Sequence, residues 1–175
     1  MGLNEDLIKG GIILIHSKVN SEEAGDIIKN LLAIQANEPT KEINLYVSSC
    51  SIDDWSILAL YDVIKSLSNP ISTYCIGAVG ELSVILLGLA NKGKRYILKN
   101  SIISFNEVKA ALRPGQQTQI EIEAKHATNL KNTFETILSE QTGKDVETIH
   151  KDLMKEMTFN AEAAVEYGLI DEVLE

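Results

Sequence analysis

Short apolar runs rich in β-branched residues alternate with amphipathic stretches of helical period through the first two thirds of the chain, and this alternation most constrains its fold. Gly11-Ile12-Ile13-Leu14-Ile15 is too short for a helix and reads as a buried strand. Ser21 followed by Glu22-Glu23 is a helix-start signal. Ala24, Ile27, Ile28, Leu31 and Leu32 then recur on one helical face, and Pro39 closes the unit. The cycle repeats with a strand over 43–47, a turn-like Ser48-Ser49-Cys50-Ser51, and a helix over 54–67 with Ile57, Leu60, Tyr61 and Ile64 on one side. A third cycle predicts a strand over 71–76, a helix over 81–90, and strands at 96–98 and 102–103. Strands alternating with helices of this length form a parallel sheet with right-handed crossovers, which places the chain in the α/β class.

The last third breaks the rhythm. A long helical pattern with mixed charges covers about 117–141 and is ended by Thr142-Gly143. Further helices are predicted over 146–154 and 161–167, the second ended by Gly168, before a short apolar tail. The chain of 175 residues suits one domain, 1–175, with a core of its own. A long helix standing outside a compact α/β unit predicts pairing with another subunit.

Charge and composition narrow the partners. The formal net charge is −9, with 25 acidic against 16 basic residues, which argues against nucleic acid or an anionic membrane. The longest apolar stretch, 82–90, is about half the ~18 residues of a membrane span. MGLNEDLIKGG lacks the basic start of a signal peptide, so a soluble cytoplasmic protein is expected. Cys50 and Cys75 show no CxxC spacing and read as reduced thiols. His16, His126 and His150 are too scattered to imply a metal site, and no cofactor is implied.

Five segments, in order, carry a resemblance. INLYVSS (43–49), STYCIGA (72–78), NKGKRYILKNS (91–101), QIEIEAKHATNLK (119–131) and AAVEYGLIDEVL (163–174) resemble the ClpP family of ring-forming serine peptidases. The resemblance implies a crotonase-like α/β fold of repeated ββα units with a projecting helical handle, here the helix at about 117–141. It also implies seven-membered rings stacked in pairs as a tetradecamer around a chamber.

The chemistry of that family needs a serine nucleophile, a histidine base and an orienting aspartate. The matching positions hold Glu81, Asn106 and Glu156, so the chain resembles a ClpR-like member with a degenerate triad. A carboxylate is a poor nucleophile toward an amide, and Asn106 does not titrate. Loss of a whole triad removes on the order of 10⁶ in turnover. The Gly-Gly pair that supplies an oxyanion-hole N–H corresponds to Ser51-Ile52, and the second donor falls at Leu82. Ile52 resists backbone angles that glycine allows. Ser83, two residues past Glu81, is turned away from it by helical geometry and has no histidine beside it. The expectation is a subunit without catalysis. The alternatives are an acyl-CoA hydratase or lyase using Glu81 and Glu156, or a residual low-rate serine peptidase.

In the family, an ATP-driven AAA+ unfoldase docks on apolar clefts of the ring face. The matching positions that keep apolar or aromatic character are Tyr46, Tyr74, Ile76, Tyr96, Leu98 and Leu174, whereas Asn44 and Ser66 are polar. About ten residues precede the first expected strand, fewer than the family's pore-lining segment, which counts against docking. The partners expected are copies of the same chain, active ClpP subunits in mixed rings, and possible unfoldase contact.

Overall fold

The computed structural model describes residues 3–106 and 117–175. Helix α1 (Leu3–Lys9) leads into β1 (Ile12–Val19), α2 (Ser21–Asn37), β2 (Ile43–Ile52), α3 (Asp54–Ser66), β3 (Ile71–Cys75) and β4 (Ala78–Gly80). A 3-10 turn (Glu81–Ser83) and the short α4 (Val84–Leu87) precede β5 (Arg95–Leu98) and β6 (Ile102–Phe105). Then come α5 (Gln117–Thr142), α6 (Val146–Met154), β7 (Met157–Phe159), α7 (Ala161–Tyr167) and β8 (Glu172–Leu174).

The predicted alternation yields a five-stranded sheet in the order β1-β2-β3-β5-β8, with every neighbouring pair parallel. A second sheet has the order β4-β6-β7, in which β4 and β6 run parallel and β6 and β7 antiparallel. Period-two alternation decides which side of the large sheet is buried. Ile13, Ile15, Ile43, Leu45, Val47, Thr73, Cys75 and Ile97 point into the core, where they meet Leu31, Ile57, Leu60 and Ile64 of α2 and α3. Their alternates, Leu14, Tyr46, Tyr74 and Tyr96, lie on the opposite face, which is open to solvent.

Local chemistry sets the helix ends. The cap of α2 is Asn20, one residue before the expected start signal. Its side chain accepts from the Glu22 and Glu23 N–H groups while Glu23 reaches back to the Asn20 N–H, a closed capping box. Asp53, Asp145 and Asn160 cap α3, α6 and α7, each accepting from the backbone N–H three residues on. The C-terminal strand is held by Arg95, which forks onto Asp171 at 3.0 and 2.6 Å and also donates to the Gln141 and Gly168 carbonyls.

Two expectations fail. The Ser48–Ser51 segment is not a turn: β2 continues through it to Ile52, because β1 also runs on to Val19 and pairs with it after a register break between His16 and Lys18. The helix expected over 81–90 is only a 3-10 turn and four α-helical residues. It stops at Gly88, where a Cβ would stand 2.0 Å from Gln141 Cδ of α5, so a larger residue would displace the Gln141 side chain from its bond to the Ile85 carbonyl. Elements α1, β4 and β7 have no counterpart in the sequence reading, and the apolar tail is strand β8. Among the described residues, no helix is long and apolar enough to cross a membrane.

Candidate functional site

The smaller sheet gathers the three residues that the resemblance assigns to a degenerate triad. Glu81 directly follows β4, Asn106 directly follows β6, and Glu156 directly precedes β7. Strands β4 and β6 are parallel, whereas β6 and β7 are antiparallel, with Phe105 opposite Met157. All three residues therefore emerge at one end of this sheet, and extending the register by one step sets Asn106 opposite Glu156. The carboxyl ends of parallel strands are where α/β folds place their sites.

Glu81 and Glu156 are exposed and hold left-handed backbone angles, φ +50 and +49. Residues other than glycine seldom adopt that region, and such strain concentrates at functional sites. Leu82 and Ser83 turn the other way and are buried, and the Ser83 hydroxyl makes no hydrogen bond among the described residues. The turn before Glu81 is opened by Gly77 (φ +66), where a Cβ would lie 3.3 Å from Ser48 Oγ.

Behind Asn106 and Glu156 lies an aromatic cluster. Phe105, Phe159 and Tyr167 meet edge-on or tilted, with ring centroids 4.8 to 5.9 Å apart. The Tyr167 hydroxyl donates to Asp152 Oδ2 at 2.9 Å, and burial, with the Asp152 carboxylate next, pushes this phenol well above its usual range. Lys155 and the Tyr167 hydroxyl hold the Asp152 carboxyl below its ordinary value, against the opposing effect of burial. These contacts fix α6 and β7 on either side of Glu156.

The positions that the resemblance assigns to the oxyanion hole lie in regular structure. Ile52 is buried at the end of β2 and pairs with Val19, so the segment 48–52 is a strand rather than a loop. Leu82 lies buried in the 3-10 turn. The Cys50 side chain lies outside the described residues.

A hydroxyl–imidazole contact does occur elsewhere. His16 Nδ1 and Ser17 Oγ are 3.0 Å apart on β1, at the register break, where Ser17 has φ +61. Sequence reasoning missed it, since two neighbouring residues carry no spacing signal. The contact joins adjacent, exposed residues through Nδ1, the nitrogen that a triad directs at its acid. His126 lies on α5 and His150 on α6, so β4, β6 and β7 carry no imidazole.

On the outer face of the large sheet, Tyr46, Tyr74 and Tyr96 are register partners on β2, β3 and β5. Leu98 and Leu174 pair across β5 and β8, and Ile76 is half-buried just past β3. The structure therefore brings the six docking candidates together on and beside one face. Of the two polar positions, Asn44 accepts from the Tyr74 hydroxyl at 3.2 Å, and Ser66 donates to the Val63 carbonyl at 2.7 Å.

The buried residues of helix α5, Phe134, Glu135, Ile137 and Leu138, lie in its C-terminal half. Toward its start, Ile120 and Ile122 are exposed, and His126 meets the Trp55 ring edge-on at 5.9 Å. A core-bound base with an exposed apolar extension fits the expected projecting helix.

The mostly parallel sheet and the long helix agree with a comparison against known families. A model of the Clp protease family matches residues 2–175. The chain belongs to the Clp protease family.

Proposed function

We propose that this chain is a non-catalytic, ClpR-like subunit of a Clp-type ring assembly, which acts through assembly and docking rather than by cutting peptide bonds. The observation that carries this reading is the chemistry at the end of the smaller sheet. Glu81, Asn106 and Glu156 flank β4, β6 and β7 there, and the resemblance assigns them to the nucleophile, base and acid positions. An amide side chain does not titrate and so carries no proton to a leaving amine, and a carboxylate is a poor nucleophile toward an unactivated amide. The continuous β2 at 48–52 supports the same conclusion for the oxyanion hole.

The open outer face and the exposed start of α5 support the assembly part. All-parallel sheets normally bury both faces, so this one calls for a cover supplied by another chain. In seven-membered rings stacked in pairs, the exposed Ile120 and Ile122 would meet their equivalents across the equator, in pure rings or in rings mixed with active ClpP. The tyrosine face would remain for an AAA+ unfoldase.

A fluorogenic-peptide assay tests this reading. The unmodified chain is expected to show no turnover, while an active ClpP assayed in parallel does. Use of Glu81 and Glu156 on acyl-CoA substrates is the second reading; both carboxylates stand in solvent, where water competes for each proton they would move. Turnover of an enoyl-CoA would favour it.

A further inference from the structure

One straight row of side chains crosses the open face of the large sheet. Leu14, Tyr46, Tyr74, Tyr96 and Glu172 are successive register partners on β1, β2, β3, β5 and β8. The Tyr46 and Tyr74 rings lie face to face, 4.5 Å apart and within 9° of parallel; Tyr74 and Tyr96 follow at 5.1 Å and 27°. Stacking along the row uses the inner ring faces and leaves the far face of Tyr96 turned toward β8. The register places Glu172 there. Its carboxylate is exposed and makes no hydrogen bond or ion pair among the described residues.

The two cations at the start of β5 are already engaged. Lys94, on the same face, pairs with Glu42 at 2.6 Å. Arg95 is turned to the other face and forks onto Asp171. The row therefore ends on a free aromatic face beside an unanswered carboxylate, in a chain of net charge −9. A guanidinium satisfies both at once, because it is planar, stacks on aromatic rings and donates through a fork to a carboxylate. An ammonium supplies the charge without the fork.

We propose that this row is a docking strip for a segment of a partner protein that carries an arginine, seated between Tyr96 and Glu172, and an aliphatic side chain at the Leu14–Tyr46 end. The inference rests on the docking role proposed above for this face and adds the chemistry of the partner. Four strand spacings of about 4.8 Å make the strip roughly 19 Å long, a span of about six extended residues.

The probe is a fluorescein-labelled hexapeptide, Leu-Ser-Ser-Ser-Ser-Arg-amide, titrated with the full chain and read by anisotropy. Versions ending in citrulline, lysine or leucine are measured beside it. The arginine peptide is expected to bind about tenfold tighter than the citrulline one. Glu172→Gln is expected to abolish that preference, and Tyr96→Ala to weaken the arginine peptide by a similar factor. Equal binding of arginine and citrulline peptides, or a preference that survives Glu172→Gln, overturns the inference; binding of the leucine version would then leave the docking role standing. If no peptide binds, both fall. A native mass that drops in Tyr74→Asp and Glu172→Gln alike assigns the strip to a second copy of this chain and also overturns it.

Discussion

Glu81 and Glu156 share left-handed backbone angles, φ +50 and +49, at the same end of the sheet formed by β4, β6 and β7. A left-handed residue other than glycine costs about 1–2 kcal/mol, so two exposed glutamates held this way are not conformational defaults. The surroundings impose the angle: Glu81 lies between β4 and a turn whose Leu82 and Ser83 are buried, and Glu156 between α6 and β7. Under the proposed function, the backbone that would present reactive groups is kept while the groups themselves are unreactive.

Relief of that strain is measurable. Glu81→Gly is expected to stabilise the fold by about 1 kcal/mol, because glycine adopts the angle without steric cost. For a chain of this size that corresponds to a rise in Tm of about 2–4 °C. Glu81→Val should lower it. Scanning calorimetry that ranks the valine variant at or above the glycine variant would contradict the assigned backbone.

The Arg95–Asp171 fork predicts a dependence on pH. Arg95 holds the Asp171 carboxyl below its ordinary value, with burial opposing. A carboxyl depressed in the folded state stabilises above its unfolded value, and that contribution disappears as pH falls through the folded one. Asp171→Asn is therefore expected to cost about 2–3 kcal/mol at neutral pH. The gap between variant and parent should close as pH drops below the ordinary aspartate range. Urea midpoints at several pH values check this; a constant gap would count against it.

Glu135 is buried on α5 and meets His150 Nδ1 of α6 at 2.7 Å. His150→Ala strands that carboxylate and should cost about 1–3 kcal/mol. Glu135→Met combined with His150→Ala should recover most of it, since no carboxylate is then left unpaired in the core. Chemical denaturation of both variants decides; a double variant no better than the single one would contradict the pairing.

Much of this architecture was legible from side-chain period and cap chemistry. The helices Val146–Met154 and Ala161–Tyr167 match their predicted bounds because Asp145 and Asn160 mark their starts and Gly168 ends the second. The continuation of β2 through Ser48, Ser49, Cys50 and Ser51 was not legible, since small polar residues signal a turn unless a neighbouring strand runs far enough to pair with them. The helix at 81–90 was overread because Val84 to Leu87 are apolar all round, whereas the helix ends at Gly88, which packs under the Gln141 side chain, a contact made across the chain. The resemblance pointed to Glu81, Asn106 and Glu156 individually; their meeting at one sheet end is a property of strand order, which periodicity does not encode.

Under the proposed function, the exposed start of α5 carries the ring-to-ring contact. Ile122, 56% exposed, is the test position. Ile122→Glu should leave the fold intact, because the residue lies outside the core, yet shift the native mass from a stacked double ring toward a single one. Native mass spectrometry reads this directly; an unchanged double ring would move the contact elsewhere.

The most direct test of a subunit without catalysis is intact-mass analysis of the unmodified chain after exposure to a fluorophosphonate, run beside the fluorogenic-peptide assay. The expected result is no covalent adduct on any serine, Ser17 and Ser83 included, together with no peptide turnover. An adduct on one serine, accompanied by peptide turnover that the same reagent abolishes, would contradict it.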